Sequence, residues 1–211
     1  MNFNSEAILT HIDHSEKVIV MKVFLTVLIF FFSLQSFTKA DDIRDFQIEG
    51  MSAGDSLLDY FSKKKIKKAI KSAYYYPDRK FRDIFIKPSS SSKFDMYQIS
   101  LKSKDKNYII YTLTGQIGYE NNIKDCYPQK KEIVAEIKNV FGNKTEIKNY
   151  TIKHSVDKSG KSKVESTDFL LQGGSVQVQC YDWSKNVEYT DKLLLNIKTD
   201  EALDYFRNAF K

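Results

Sequence analysis

Histidine is almost missing from this chain. There are three in 211 residues, and only His154 lies beyond residue 40. Histidine is the usual general base, metal ligand and proton shuttle near neutral pH, so its scarcity confines any Ser-His-Asp chemistry to the neighbourhood of His154. Nothing in the flanks of that residue suggests a triad. It shares strand parity with Tyr150, Ile152 and Val156 and reads as a half-buried strand histidine. H-E-x-x-H metal sites, G-x-S-x-G elbows, P-loops and dinucleotide fingerprints are absent as well, and neither a cofactor nor a metal is expected. The two cysteines, Cys126 and Cys180, are too far apart for a C-x-x-C redox pair. Prolines number only 3, against 15 Phe and 13 Tyr, which excludes a proline-rich disordered chain and indicates an aromatic-rich folded core.

No apolar run is long enough to be an assured membrane span. The longest, Val23 to Leu34, is broken by Thr26 and Ser33 and ends before Gln35, Ser36 and Lys39, short of the roughly 20 residues that a spanning helix needs. Lys22 before that run and Thr38-Lys39-Ala40 after it complete the three-part pattern of a secretory leader. Residues 21–40 are therefore expected to be a signal peptide, with an uncleaved anchor reaching back to Val18 as the alternative. A leader normally starts at its own Met, so residues 1–20 are expected to be a mis-called extension ahead of Met21. That leaves 41–211 as a single α+β domain in the periplasm or outside the cell. The stretch removed carries three basic and three acidic residues, so the net charge of +6 belongs to the folded part. A sequence pI near 9.0 makes an anionic partner worth considering without implying one. In an oxidising compartment an even cysteine count makes a Cys126–Cys180 disulfide the expectation.

Along the chain, Ser52 and Asp55 have capping-box spacing ahead of a short helix with Leu57, Leu58 and Phe61 as its buried stripe. Ser62 restarts a second helix with Ile66, Ala69, Ile70 and Ala73 on one face. The opposite face carries Lys63, Lys64, Lys65, Lys67, Lys68 and Lys71, and Tyr74-Tyr75-Tyr76 follows. Alternating stretches at 82–87, 94–102 and 108–114 predict strands, with Gly115 and Gly118 interrupting a further strand that ends near Tyr119 and a turn at Asn121-Asn122. In the middle strand Tyr97, Ile99 and Leu101 share one face, leaving Gln98, Ser100 and Lys102 on a wet one.

Pro128 marks the first turn of a helix whose stripe is Ile133, Val134, Ile137, Val140 and Phe141, and Gly142 stops it. Strands follow at 146–156, 164–172, 175–183 and 188–198. Asp157-Lys158-Ser159-Gly160 and Gly173-Gly174 supply turns between them. Thr199 or Asp200 caps a last helix that faces Leu203, Phe206 and Phe210 to the core. Segregated runs of strands predict antiparallel sheet packed against a few amphipathic helices. The halves look loosely alike, each a helix followed by strands, with no sequence repeat.

Phe46-Gln47-Ile48-Glu49-Gly50-Met51-Ser52, running into a short helix and then a meander, resembles the opening of small envelope lipoproteins of the SmpA/BamE type. The resemblance covers about the first third of the chain beyond residue 40. Those lipoproteins carry a lipidated cysteine after the leader, where this chain has Asp41 and Asp42. As a whole, the chain is similar to an uncharacterised family of small secreted bacterial proteins that share a Gly-Met-Ser-x-Gly-Asp-Ser opening and a Cys-Tyr-Asp-Trp-Ser segment, here Cys180 to Ser184. The resemblance implies a compartment and a fold, not a reaction.

Three functional readings result. The first is a non-enzymatic envelope or secreted binding protein whose partner is a protein or an anionic envelope surface, with a membrane contacted only through an uncleaved leader. The second is a small hydrolase using paired carboxylates, with Asp182 as the first candidate and Trp183 beside it as a ring contact for a sugar. The third is an electrostatic surface for lipid, glycan or nucleic acid built on Lys63, Lys64, Lys67, Lys68 and Lys71. Asn143-Lys144-Thr145 and Asn149-Tyr150-Thr151 match the glycosylation sequon, which has meaning only in a eukaryotic secretory route.

Overall fold

Period-2 stretches dominate beyond Phe81, and they assemble into one sheet. The computed structural model describes residues 42–120, 122–142 and 145–209; the expected leader at 21–40 and the extension at 1–20 lie outside them. Among the described residues are eight strands, β1 (Tyr74–Tyr75), β2 (Phe81–Ile86), β3 (Met96–Lys102), β4 (Thr112–Gly118), β5 (Glu146–Lys153), β6 (Lys163–Leu171), β7 (Gly174–Asp182) and β8 (Lys192–Thr199). Three α-helices accompany them, α1 (Lys63–Lys71), α2 (Ile123–Phe141) and α3 (Asp200–Ala209). Every neighbouring pair of strands is antiparallel, in the order β1-β2-β3-β4-β8-β7-β6-β5, so the fold is α+β.

That order has a simple origin. β1–β4 and β5–β8 are each a meander preceded by a helix, and the meanders join through their last strands, β4 and β8. Two units meeting in this way are related by an approximate twofold axis normal to the sheet. One row of side chains crosses the seam in register, Ile84, Ile99, Leu113, Ile197, Val176 and Phe169, and each is 0% exposed. α2 covers this face over β7 and β8, burying Cys126, Ile137 and Phe141. α1 adds Ile66 and Ala69, with the Ser62 hydroxyl accepting from the Lys65 amide at 3.3 Å as its N-cap. α3 lies on the opposite face, where Tyr205 and Phe206 pack against Phe81 and Tyr76. The Thr199 hydroxyl accepts from the Ala202 amide to cap it, and Phe210 lies outside the described residues.

Several local expectations are corrected. The Ser52 amide does donate to Asp55 at 2.8 Å, but the Ser52 hydroxyl donates to the carbonyls of Arg44 and Phe46, and no α-helix starts there. Ser56 instead caps a single 3₁₀ turn, Leu57–Asp59, which buries Leu57 and leaves Leu58 exposed. The strand expected over 108–114 and the one expected up to Tyr119 are one strand, β4. Gly115 does not break it; the Phe94 ring lies where a side chain would be, 2.5 Å from the position of a Cβ. Residues before Thr112 pair with the 52–57 segment through Gly54, Asp55 and Leu57. α2 starts at Ile123, earlier than Pro128 suggests, so Cys126 lies within its first turn and not ahead of it, and Val140 faces solvent. The Gly173-Gly174 hairpin forms with Gln172 and Gly173 as its two loop residues.

Candidate functional site

The sheet face opposite α2 is polar along its middle, and its side chains bond one another. In the first meander Asp83 accepts from the hydroxyls of Tyr76 (2.8 Å) and Ser100 (2.6 Å) and from the Gln98 amide (2.8 Å). In the second, Asp168 accepts from the hydroxyls of Tyr150 (2.8 Å) and Ser166 (2.5 Å) and from the Gln177 amide (2.7 Å). The approximate twofold exchanges these sets. In both, a tyrosine at or just after the first strand and a residue directly opposite on the third strand donate to an aspartate on the second. Burial pushes the Tyr76 hydroxyl pKa above its ordinary range, with Asp83 adding to it. At the seam the Thr114 hydroxyl donates to Asn196 Oδ1, and Asn196 Nδ2 donates to Gln179 Oε1. Buried polar groups tolerate desolvation only when paired, and this lattice pairs most of them. The wet face expected opposite Tyr97, Ile99 and Leu101 is therefore polar but internally bonded, with Ser100 buried.

At the β5–β6–β7 end of the same face stands an aromatic corner. Trp183 packs against His154 (ring centroids 4.5 Å apart), Tyr189 (4.6 Å) and Tyr181 (5.9 Å). Around it Tyr189, Ile152 and Val156 are 50%, 51% and 51% exposed. The Trp183 indole N–H is buried without a hydrogen-bond partner. His154 is half-buried, as expected, but lies just past β5, which ends at Lys153 and not at Val156. Its Nδ1 accepts from the Val156 amide at 3.2 Å, which places the proton of the neutral ring on Nε2. Burial lowers the His154 pKa, and Lys192 adds to the effect.

The loops carrying this corner are held by two acids, Asp157, whose local turn is legible in the sequence, and Asp191, which has no sequence signal. Asp157 accepts from the amides of Ser159 (2.9 Å) and Ser162 (2.8 Å) and from the hydroxyls of Ser162 and Ser184, both at 2.8 Å. Asp191 accepts from the Trp183 amide at 2.7 Å. Asp-x-Ser-Gly at 157–160 is a recognisable turn, but its reach to Ser184 is a long-range contact with no local signature.

Asp182 and Trp183 do not form one site. Asp182 ends β7 on the parity of Cys180, facing α2, whereas Trp183 continues the parity of Tyr181 on the far side. Burial raises the Asp182 pKa, Asp191 adds to the rise and Lys163 opposes it. Cys126 and Cys180 are bonded, with Cα atoms 6.0 Å apart, tying the start of α2 to β7. Lys63, Lys64, Lys67, Lys68 and Lys71 are all exposed on α1, and none forms a salt bridge within the described residues. Glu49, beside the Gly-Met-Ser segment, is a structural acceptor for the Tyr97 and Ser92 hydroxyls and the Lys93 amide. Asn149 Oδ1 accepts from Thr167 on the β5 edge, and Asn143 lies outside the described residues.

Among the described residues no group of three His, Cys, Asp or Glu side chains is placed to hold a metal ion, and no helix is long and apolar enough to cross a membrane. Comparison with protein-family models, with curated proteins and with solved structures gives no match.

Proposed function

We propose that this protein is an exported, non-enzymatic binding module that docks another protein on the aromatic corner of its second sheet face. The observation that carries the reading is the exposed Tyr189 ring packed on Trp183, with exposed Ile152 in the register row of Tyr181 and exposed Val156 bonded through its amide to His154. Tryptophan and tyrosine are the side chains most enriched at protein interfaces and among their hot spots. Export is supported by the disulfide, since such bonds persist in oxidising compartments, by the leader-like pattern at 21–40, and by the resemblance to small secreted and envelope proteins. The hydrolase reading rests on Asp182 and its neighbour Asp191. It is the weaker of the two, because Asp191 is buried and bonded to the Trp183 amide. The test is co-purification from the native extracytoplasmic fraction with the full-length protein and with Tyr189→Ala and Ile152→Asp. A partner held by the parent and lost from both variants is expected; equal retention overturns the reading.

A second surface has its own observation. Five α1 lysines that form no salt bridge among the described residues favour contact with an anionic lipid or glycan surface, and a +6 chain is drawn to such a surface by a field that salt screens.

A further inference from the structure

Besides the Trp183 indole, two buried polar groups on this face lack partners among the described residues, and both lie on β7. On β8, Lys198 stands directly opposite Ser175 of β7, and Gln177 follows two residues along the same face. Side chains directly opposite have Cβ atoms about 5 Å apart, and two residues along a strand span about 7 Å. The three groups therefore fall within the reach of one small molecule. Ser175 is 2% exposed and its hydroxyl has no partner; Gln177 is 9% exposed, and its carbonyl oxygen has none either, although its amide donates to Asp168. Lys198 is half-buried, its amine forms neither a hydrogen bond nor a salt bridge within the described residues, and burial lowers its pKa, with the nearby Asp168 carboxylate opposing. A buried hydroxyl and a buried amide carbonyl left unpaired beside a half-buried lysine is an arrangement whose desolvation cost is relieved by a ligand supplying the missing partners.

We propose that Lys198, Ser175 and Gln177 form a binding site for a small oxyanion that also carries an O–H or N–H donor, such as hydrogen phosphate or a hydroxycarboxylate. The anionic oxygens meet the ammonium and the Ser175 hydroxyl in charge-assisted bonds, and the donor meets Gln177 Oε1. The acceptor makes the site selective. Sulfate and acetate offer the charge but no proton, and leave that carbonyl unpaired. None of the three residues belongs to the aromatic corner, so this site stands or fails independently of the protein-docking reading.

Calorimetric titration of the full-length, disulfide-bonded protein at constant ionic strength and pH 7 tests the assignment. Inorganic phosphate is compared with sulfate, and glycolate with acetate. Saturable binding is expected for phosphate, glycolate or both, at least tenfold tighter than for the matched anion lacking a donor; the tighter of the two tells a phosphoryl ligand from a hydroxycarboxylate. Lys198→Met should abolish that binding, and Ser175→Ala should weaken it several-fold. No saturable binding by either anion, or sulfate and acetate binding equally well, overturns the proposal. Lys198→Met should keep the cooperative thermal unfolding of the parent, so that its loss of binding reads the amine and not the fold; a folded Lys198→Met that binds as tightly as the parent would also overturn the proposal.

Discussion

Asp157 shows how one side chain sets the geometry around the aromatic corner. Its hydrogen bonds, those from Ser159 and Ser162 foremost, hold its carboxyl well below the usual carboxylate range. The sign of the linkage follows. An unfolded aspartate titrates near pH 3.9, so as pH falls the unfolded chain takes up the proton first, and the contribution of Asp157, complete above about pH 4, is lost on further acidification. Asp42, held at about 2 chiefly by its bonds from Arg44, acts in the same direction. Thermal unfolding followed between pH 5 and 2 should show Asp157→Asn with a lower midpoint at pH 5 and a shallower decline toward pH 2 than the parent. Gly174 makes a second residue-scale case, since a Cβ there would lie 2.1 Å from the Lys198 carbonyl oxygen of the neighbouring strand. Gly174→Ala should cost about 2 kcal/mol or more, within the range for overpacking a close contact, measurable by urea denaturation. At this scale the sequence is only partly legible. Gly173-Gly174 announces its hairpin and Cys180 its inward parity, but the acids that organise Trp183 cannot be chosen from sequence, because Asp157 reaches Ser184 across 27 positions.

At the scale of elements, the bridge from α2 to β7 closes a loop with a sequence separation of 54. The chain-entropy model assigns such a loop about 4 kcal/mol, a large share of a small domain's net stability. Cys126→Ser with Cys180→Ser should therefore unfold at markedly lower guanidinium concentration than the oxidised parent, and a reductant should bring the parent to the same midpoint. α1 gives an electrostatic prediction. Replacing Lys64, Lys67, Lys68 and Lys71 by Glu should abolish retention on heparin and on anionic vesicles at low salt, while the parent elutes earlier as salt rises; identical elution of the two would exclude that surface. Ser62, Ile66 and Ala69 make this helix legible in the amino-acid sequence, because cap and stripe are both local. Gly115 misleads for an equally physical reason. A strand glycine ordinarily marks a break, and only the tertiary position of Phe94 shows that this one makes room for a ring.

The whole molecule is two helix-plus-meander units sharing a sheet across the β4–β8 seam. The row from Ile84 to Phe169 crosses that seam without exposure, so the halves should unfold together. Leu113→Ala at the seam should cost about 2–5 kcal/mol, as for large-to-small changes in a packed core, and should lower the protection of slowly exchanging amides in both meanders alike. The α+β class and the likeness of the halves are legible in the sequence. The twofold relation is not, since it resides in which strands pair, and Tyr76–Asp83 and Tyr150–Asp168 have different spacings along the chain. The second face carries its own probe, because Trp183 is the only tryptophan. Fluorescence of the full-length protein, titrated with the purified partner, reads that corner and nothing else in this chain. The account predicts a saturable shift in Trp183 emission together with reduced quenching by acrylamide; a complex that forms with both unchanged would contradict it.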